Sequence, residues 1–280
     1  MFSLETYNGN ETNISYRIAG DGPPLLLLHG FPQTNMMWHK IAPALAEKYT
    51  VVAADLRGYG DSGHPASDAA HAPYSKRAMA ADMAGLMRGL GHDSFMVAGH
   101  DRGGRVAHRL ARDHGDCVSR IAVMDIAPTA AMYGQTDMRF ATAYYHWFFL
   151  IQPAPLPEQM IGADPEFYLR SKCGQWGRTE GAITDEAFAD YLRCFRRQET
   201  ITPCARIIAP RPPSTSSMMP PIPMPGWPCR SSQSGARLDL SAAITTSLRN
   251  GRRWRRTCPG PPCRAGITVP KKRRTRHLPR

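Results

Sequence analysis

The residues best suited to chemistry lie in Gly99-His100-Asp101-Arg102-Gly103, where an apolar run over 94–98 meets a helical pattern carried by Val106, Ala107, Leu110 and Ala111. Strand, sharp turn and helix in that order form an elbow that can present a nucleophilic Ser, Cys or Asp. Asp101 stands at its tip. Gly99 and Gly103 flank it, as expected where backbone passes too close for a Cβ. Unpaired N–H groups and the dipole at a helix N-terminus favour an ionised carboxylate there. The same residues also fit an ordinary N-capping Asp. Arg102 and Arg105 follow, three residues apart and so on one helix face. Arginine clamps a carboxylate through paired N–H donors, and two such cations are superfluous for a neutral ligand. The plain alternative for Arg105 is a solvent-facing helix charge.

The elements that must position these groups are readable from pattern. Residues 2–6 and 14–18 alternate around Asn8-Gly9-Asn10, a hairpin signature. Residues 25–28 and 51–54 are continuous apolar runs, as in strands buried on both faces, and 120–124 is a further strand. Helical patterns cover 37–48 and 75–90, the second capped by Ser75. This alternation predicts an α/β fold, a mostly parallel sheet flanked by helices. Such sheets bind ligands at the carboxyl ends of their strands. Phe31, Asp101 and Asp125 all fall at those ends. His29-Gly30-Phe31-Pro32 is a loop type that can offer the Phe31 N–H to an oxyanion, or else a plain turn. The glycine-rich DLRGYGDS at 55–62 lacks the Lys-Ser/Thr and the glycine spacing of a phosphate cradle. From Ala130 the pattern turns helical and aromatic, which reads as a helical cap inserted after the sixth strand. Its run YYHWFFL at 144–150 could be core or could close over the elbow through His146 and Trp147.

A chain of 280 residues suits one large domain or a core with an insertion. It has no apolar run of about 18 residues and no apolar leader, so neither a membrane span nor a secretory signal is expected, and a cytoplasmic setting is. The seven cysteines follow no metal or disulfide spacing and read as free thiols. The net charge of +12 is unevenly spread: residues 202–280 carry 16 Lys+Arg and one acid, whereas residues 1–201 sum to −3. Fourteen of the 25 prolines also follow residue 201. Two compositions therefore meet at Ile201, and the basic character belongs only to the second.

Residues 1–201 resemble the fluoroacetate (haloacetate) dehalogenases, α/β-hydrolases related to epoxide hydrolases and haloalkane dehalogenases. The resemblance rests on HGFPQ at 29–33, DLRGYGDS at 55–62, GHDRGGRVAHRLA at 99–111, MDIAPT at 124–129 and YYHWFFL at 144–150. It implies a hydrolase core over 1–129 and a cap over 130–201. Asp101 would be the nucleophile and Asp125 the acid that orients a catalytic His. Arg102 and Arg105 would hold the substrate carboxylate, and His146 with Trp147 would receive the halide. The Phe31 and Arg102 backbone N–H groups would form the oxyanion hole. The partner is then a small haloacid, with no metal or organic cofactor required, no specific nucleic acid, no membrane, and room for a homodimer.

One part of the pattern fails. A catalytic His is expected on a loop after the cap, yet the one His beyond His146 is His277, in a setting without strand or helix signals. The last strands of the fold are also missing, and 202–280 reads as an aberrant, disordered tail rich in Pro and Arg. Shifted by one base and read with G/C-favouring codons, the stretch from Thr202 can encode Ala-Met-Cys-Glu-Asp-Tyr-Arg. Later stretches in that frame give an apolar strand and a Gly-His-Tyr loop. The inference is a one-base deletion just after Ile201, and a chain inactive for want of its base. Rival readings are an epoxide hydrolase, a non-catalytic carboxylate pocket, and nucleic-acid binding through Lys271-Lys272-Arg273-Arg274.

Overall fold

The computed structural model describes residues 2–68, 71–127, 136–176 and 179–206. Six strands form one sheet in the order β1-β2-β4-β3-β5-β6: β1 Ser3–Asn8, β2 Asn13–Ala19, β3 Pro24–Leu28, β4 Thr50–Ala54, β5 Phe95–His100 and β6 Val118–Met124. β1 pairs antiparallel with β2, and β2 antiparallel with β4. The other pairings, β4 with β3, β3 with β5 and β5 with β6, are parallel. The α/β fold expected from the alternation of elements is therefore present, with the cap after the sixth strand.

The period of two along each strand divides the core between the two sheet faces. Leu26, Leu28, Val52, Phe95 and Val97 pack with α2 (Lys76–Gly89) and α3 (Arg102–Asp113), which contribute Met79, Met83, Val106 and Leu110. Ser75 caps α2 by accepting the Ala78 N–H at 3.2 Å, as its sequence predicts. Leu27, Val51 and Ala53 face the other way, against Trp38 and Ala42. The single helix expected over 37–48 is instead a 3₁₀ turn, Asn35–Trp38, followed by a short α1, Ala42–Ala46. Pro43 accounts for the break: without an N–H it is accommodated only at a helix start, so α1 cannot continue from the preceding turn.

Among the described residues six further helices follow: α4 Met138–Ala143, α5 Tyr145–Leu150, α6 Leu156–Ala163, α7 Pro165–Trp176, α8 Asp185–Phe195 and α9 Gln198–Arg206. The border drawn at 129/130 lies outside the described residues. The joint at Ile201 does not end the order: α9 runs five residues past it, with Cys204 and Ala205 buried. The expectation of disorder from residue 202 therefore needs correction for 202–206. Local reasons are visible. The small Cys204 and Ala205 fit a buried face, and Pro203 packs over Gly58, where an added Cβ would come within 2.6 Å of it. The remainder of the tail, 207–280, is outside the described residues.

Among the described residues β6 pairs only with β5, leaving its far edge open, and Ile121 on it is 40% exposed. An open, apolar strand edge invites pairing with another chain. The chain should therefore self-associate increasingly with protein concentration, and Ile121→Lys should shift sedimentation toward the monomer. Indifference to that substitution would show that β6 is not the sticking edge.

Candidate active site

The elbow forms as the glycines require. An added Cβ on Gly99 would sit 2.4 Å from the Gly103 carbonyl oxygen, and one on Gly103 would sit 2.4 Å from the oxygens of Leu28 and His29. Two glycines thus let β3, β5 and α3 meet behind Asp101. Asp101 itself has φ +46 and ψ −113, a strained conformation for a side-chain-bearing residue. Its side chain does not cap α3. The plain N-cap alternative is therefore not what the geometry builds.

Both carboxylate oxygens of Asp101 are engaged. Oδ2 accepts the Phe31 N–H at 3.1 Å, and Oδ1 accepts from Arg105 Nη1 at 2.8 Å. Burial alone would raise the carboxyl's pKa. Arg105, Arg102, His100 and the Phe31 N–H outweigh it and hold the group below its ordinary value. Asp101 is thus an anion throughout the neutral range.

The loop that offers the Phe31 N–H is fixed from beneath by His29, which is fully buried. Its Nε2 accepts the Leu56 N–H at 3.1 Å, so Nδ1 carries the proton and donates to the Gly30 carbonyl at 3.0 Å. Burial pushes its pKa down to about 4, so it is neutral and forms no ion pair with Asp55, 3.9 Å away. Asp55 in turn accepts the Asn35 and Asp61 N–H groups at 2.6 and 3.1 Å. Burial still pushes its pKa up to about 7.

Arg102 is buried, its guanidinium 4.4 Å from the Phe31 ring centre and hydrogen-bonded through Nη1 to the Tyr59 hydroxyl. The glycine-rich loop at 55–62 therefore serves to place Tyr59, a role its sequence did not announce. Arg102 Nη2 and Arg105 Nε are buried and make no hydrogen bond among the described residues. Buried guanidinium N–H groups without partners are costly, and two of them on arginines beside Asp101 suit an anionic ligand. Half-buried Lys76 adds positive charge: burial first, then Arg102 and Arg105, push its ammonium pKa down to about 7.

The cap brings its aromatic run over this centre. His146 and Trp147 on α5 are both buried. The His146 ring lies parallel to Phe31 at 6.4 Å, and Arg105 lies over the Trp147 ring at 4.9 Å. Burial, then the charges of Lys172 and Arg102, push the His146 pKa down to about 3, so it is neutral at ordinary pH. Lys172 is a buried residue that the sequence gave no reason to single out, its Nζ 3.9 Å above the Tyr145 ring. Phe31, Asp101, Arg102, Arg105, His146 and Trp147 thus converge. Asp125 stands apart: it follows the end of β6 with φ +52 and its side chain is 81% exposed. Its neighbour is His100, whose Nε2 is 3.8 Å from Asp125 Oδ2. His277 lies outside the described residues.

An Asp elbow at the end of a central parallel strand, faced by a backbone N–H and covered by a helical cap, defines an alpha/beta hydrolase. The model of that fold family matches residues 23–201, and the chain belongs to it. Within the family it is similar to a fluoroacetate dehalogenase from Burkholderia sp, 53% identical over 196 residues, which are 70% of this chain and 64% of that protein. It is also similar to a soluble epoxide hydrolase from Corynebacterium sp. (strain C12), 36% identical over 66% of this chain and 64% of that one. The crystal structure of an alpha/beta hydrolase from Nostoc sp PCC 7120 superposes with a TM-score of 0.73 at 55% identity, covering 74% of this chain and 71% of that one. The chain therefore spans just under two thirds of the length of these curated relatives. Among the described residues no helix is long and apolar enough to cross a membrane.

The cap is fastened to the core by charge. Asp61, in the loop after β4, accepts from Arg193 at 2.6 and 2.9 Å and from Arg197 at 3.0 Å. Asp190 on α8 binds Arg193 at 2.9 Å and accepts the Thr34 hydroxyl at 2.5 Å. Hydrogen bonds from Arg193 above all, then from Arg197, lower the Asp61 pKa to about 2. A carboxylate whose folded pKa lies below its ordinary value of about 4 stabilises the fold above that value and ceases to as pH falls. Amide exchange over Asp185–Phe195, corrected for intrinsic rate, should therefore accelerate as pH falls from about 4 to about 2. Asp61→Asn should start from the faster rate and lose that dependence; an unchanged pH profile would remove Asp61 from the fastening.

Proposed function

We propose that the described site is built to cleave the carbon–halogen bond of small 2-haloacids, haloacetates above all. The observation that carries this reading is the pair of guanidinium groups beside the nucleophile, each with a buried N–H still to be satisfied. A neutral haloalkane would leave both donors unpaired at a cost of about 1–3 kcal/mol each, and an epoxide offers them one uncharged oxygen. The similarity to a fluoroacetate dehalogenase supports the same substrate class.

In this reading Asp101 attacks the carbon bearing the halogen, a C–O bond forms, and the halide leaves with its electron pair. Arg102 and Arg105 hold the carboxylate. His146 and the Trp147 indole face the leaving halide, where donors stabilise developing negative charge. Water then attacks the ester carbonyl, with the Phe31 and Arg102 N–H groups stabilising the oxyanion. That second half needs a base oriented by Asp125, and the present chain lacks the histidine expected after its cap. The family match ends at residue 201, where the composition also changes, in keeping with a one-base deletion after that codon. In this reading 1–129 is the core, 130–201 the cap, 202–280 the out-of-frame remainder, and the chain as it stands is inactive in turnover.

Reinserting one base after codon 201 should restore multiple turnover with haloacetate, and Asp101→Asn should abolish it. A single turnover of the restored enzyme in heavy-oxygen water should yield product containing light oxygen, donated by Asp101. Heavy oxygen in that first product would mean direct attack by water. In the restored enzyme Arg102→Met should cost about ten- to a hundredfold in kcat/KM for haloacetate, the worth of a charge-assisted hydrogen bond. Equal losses on haloacetate and on a neutral haloalkane would make Arg102 structural.

A further inference from the structure

We propose that Arg105 is a substrate-operated gate on the nucleophile, an inference that rests on the haloacid reading above. Its guanidinium lies against both the nucleophile and the cap. Nη1 donates to Asp101 Oδ1 at 2.8 Å while the same group lies 4.9 Å from the centre of the Trp147 ring. Asp101 Oδ2 is held by the Phe31 N–H, so Oδ1 is the oxygen left to attack. For in-line displacement the substrate carbon must sit between an Asp101 oxygen and the halide-facing side chains of the cap. Arg105 spans that interval, bridging nucleophile and Trp147.

A substrate must therefore move Arg105 before it can react. A carboxylate can do so, because it offers the guanidinium a new anionic partner and also engages the buried Nε and the Arg102 Nη2. A neutral organohalogen must break this pair, in which the Arg105 side chain is 10% and the Asp101 side chain 28% exposed, and offers the guanidinium no anion in exchange. In the opened state Oδ1 gives its lone pair to the substrate carbon, the C–O bond forms, the carbon–halogen bond breaks, and the halide leaves with its electrons. Selectivity then comes from uncovering the nucleophile as well as from holding the substrate. A clamp predicts only that removing Arg105 hurts the acid. The gate predicts in addition that it helps the neutral analogue.

Alkylation of Asp101 needs no base, so the 280-residue chain itself can be used. Dilute protein is treated separately with chloroacetate and with chloroacetamide, and ester at Asp101 is timed by peptide mass mapping, which separates it from thiol adducts; Asp101→Asn is the blank. In Arg105→Gln, chloroacetate alkylation should fall about tenfold or more. Chloroacetamide alkylation should rise about two- to fivefold, the worth of an ion pair no longer to be broken. Arg105→Met, which keeps an aliphatic stem against Trp147, serves if the glutamine variant loses its helical circular dichroism. A chloroacetamide rate that stays level or falls in the folded variant overturns the gate while leaving the haloacid reading intact. Absence of any Asp101 ester from chloroacetate in the unsubstituted chain overturns that reading and the gate with it.

Discussion

The Asp101 carboxylate, held between a backbone N–H of one loop and a guanidinium of its own helix, is the constraint on which the other features depend. An anion half-buried at the end of a central strand is costly unless charge and hydrogen bonds compensate it. Compensation comes from Phe31 on Oδ2 and Arg105 on Oδ1. Each then makes its own demand. Phe31 must be held at a fixed height, which falls to the neutral His29 and its bond from Leu56. Arg105 must be kept from solvent, which falls to Trp147 and hence to the cap.

The cap is accordingly joined to the core at two levels. Its apolar contacts surround the oxyanion loop, with Phe195 on α8 packed edge-on against Phe31 at 6.2 Å and His146 parallel to it. Its polar contacts run through Asp61 and Asp190 to the loops after β3 and β4. The loop bearing the Phe31 N–H is thus contacted by the cap itself. Movement of α8 cannot leave Phe31 undisturbed, so closing the site and aligning its donor are one packing event.

Legibility in the sequence followed the range of the forces involved. The elbow, the strands and the Ser75 cap depend on neighbours a few positions away, and their residues announced them. Asp101, Arg102 and Arg105 could be assigned to one face because helical spacing is local. Tyr59 under Arg102 and Lys172 beneath Tyr145 could not, since each owes its place to elements 27 or more positions distant. Arg105 was legible as a cation near Asp101 but not as its ion-pair partner, because a rotamer decides between reaching back to Asp101 and reaching out to a ligand. The helix expected over 37–48 failed for the opposite reason: a local signal, Pro43, was outweighed in reading by a longer amphipathic pattern.

Residues 202–206 show how far a fold can carry residues that differ in composition from the chain before them. The first turn of α9 is set by Gln198 to Ile201, and propagating a helix costs far less than nucleating one. The next residues need only fit the space on offer. Cys204 and Ala205 are small enough to be fully buried beside Tyr59, and Pro203 sacrifices one N–H bond while its ring covers Gly58. Order at the joint is therefore no evidence of a continuous reading frame. The discriminating feature is chemical: Asp125, at a strand end with a left-handed backbone, is 81% exposed, and the one basic side chain within 4 Å of it among the described residues is the imidazole of His100 at 3.8 Å. A strained carboxylate at a strand end, with no hydrogen bond among the described residues, is what the proposed deletion predicts if its partner belongs to a loop that the residues after 201 do not encode.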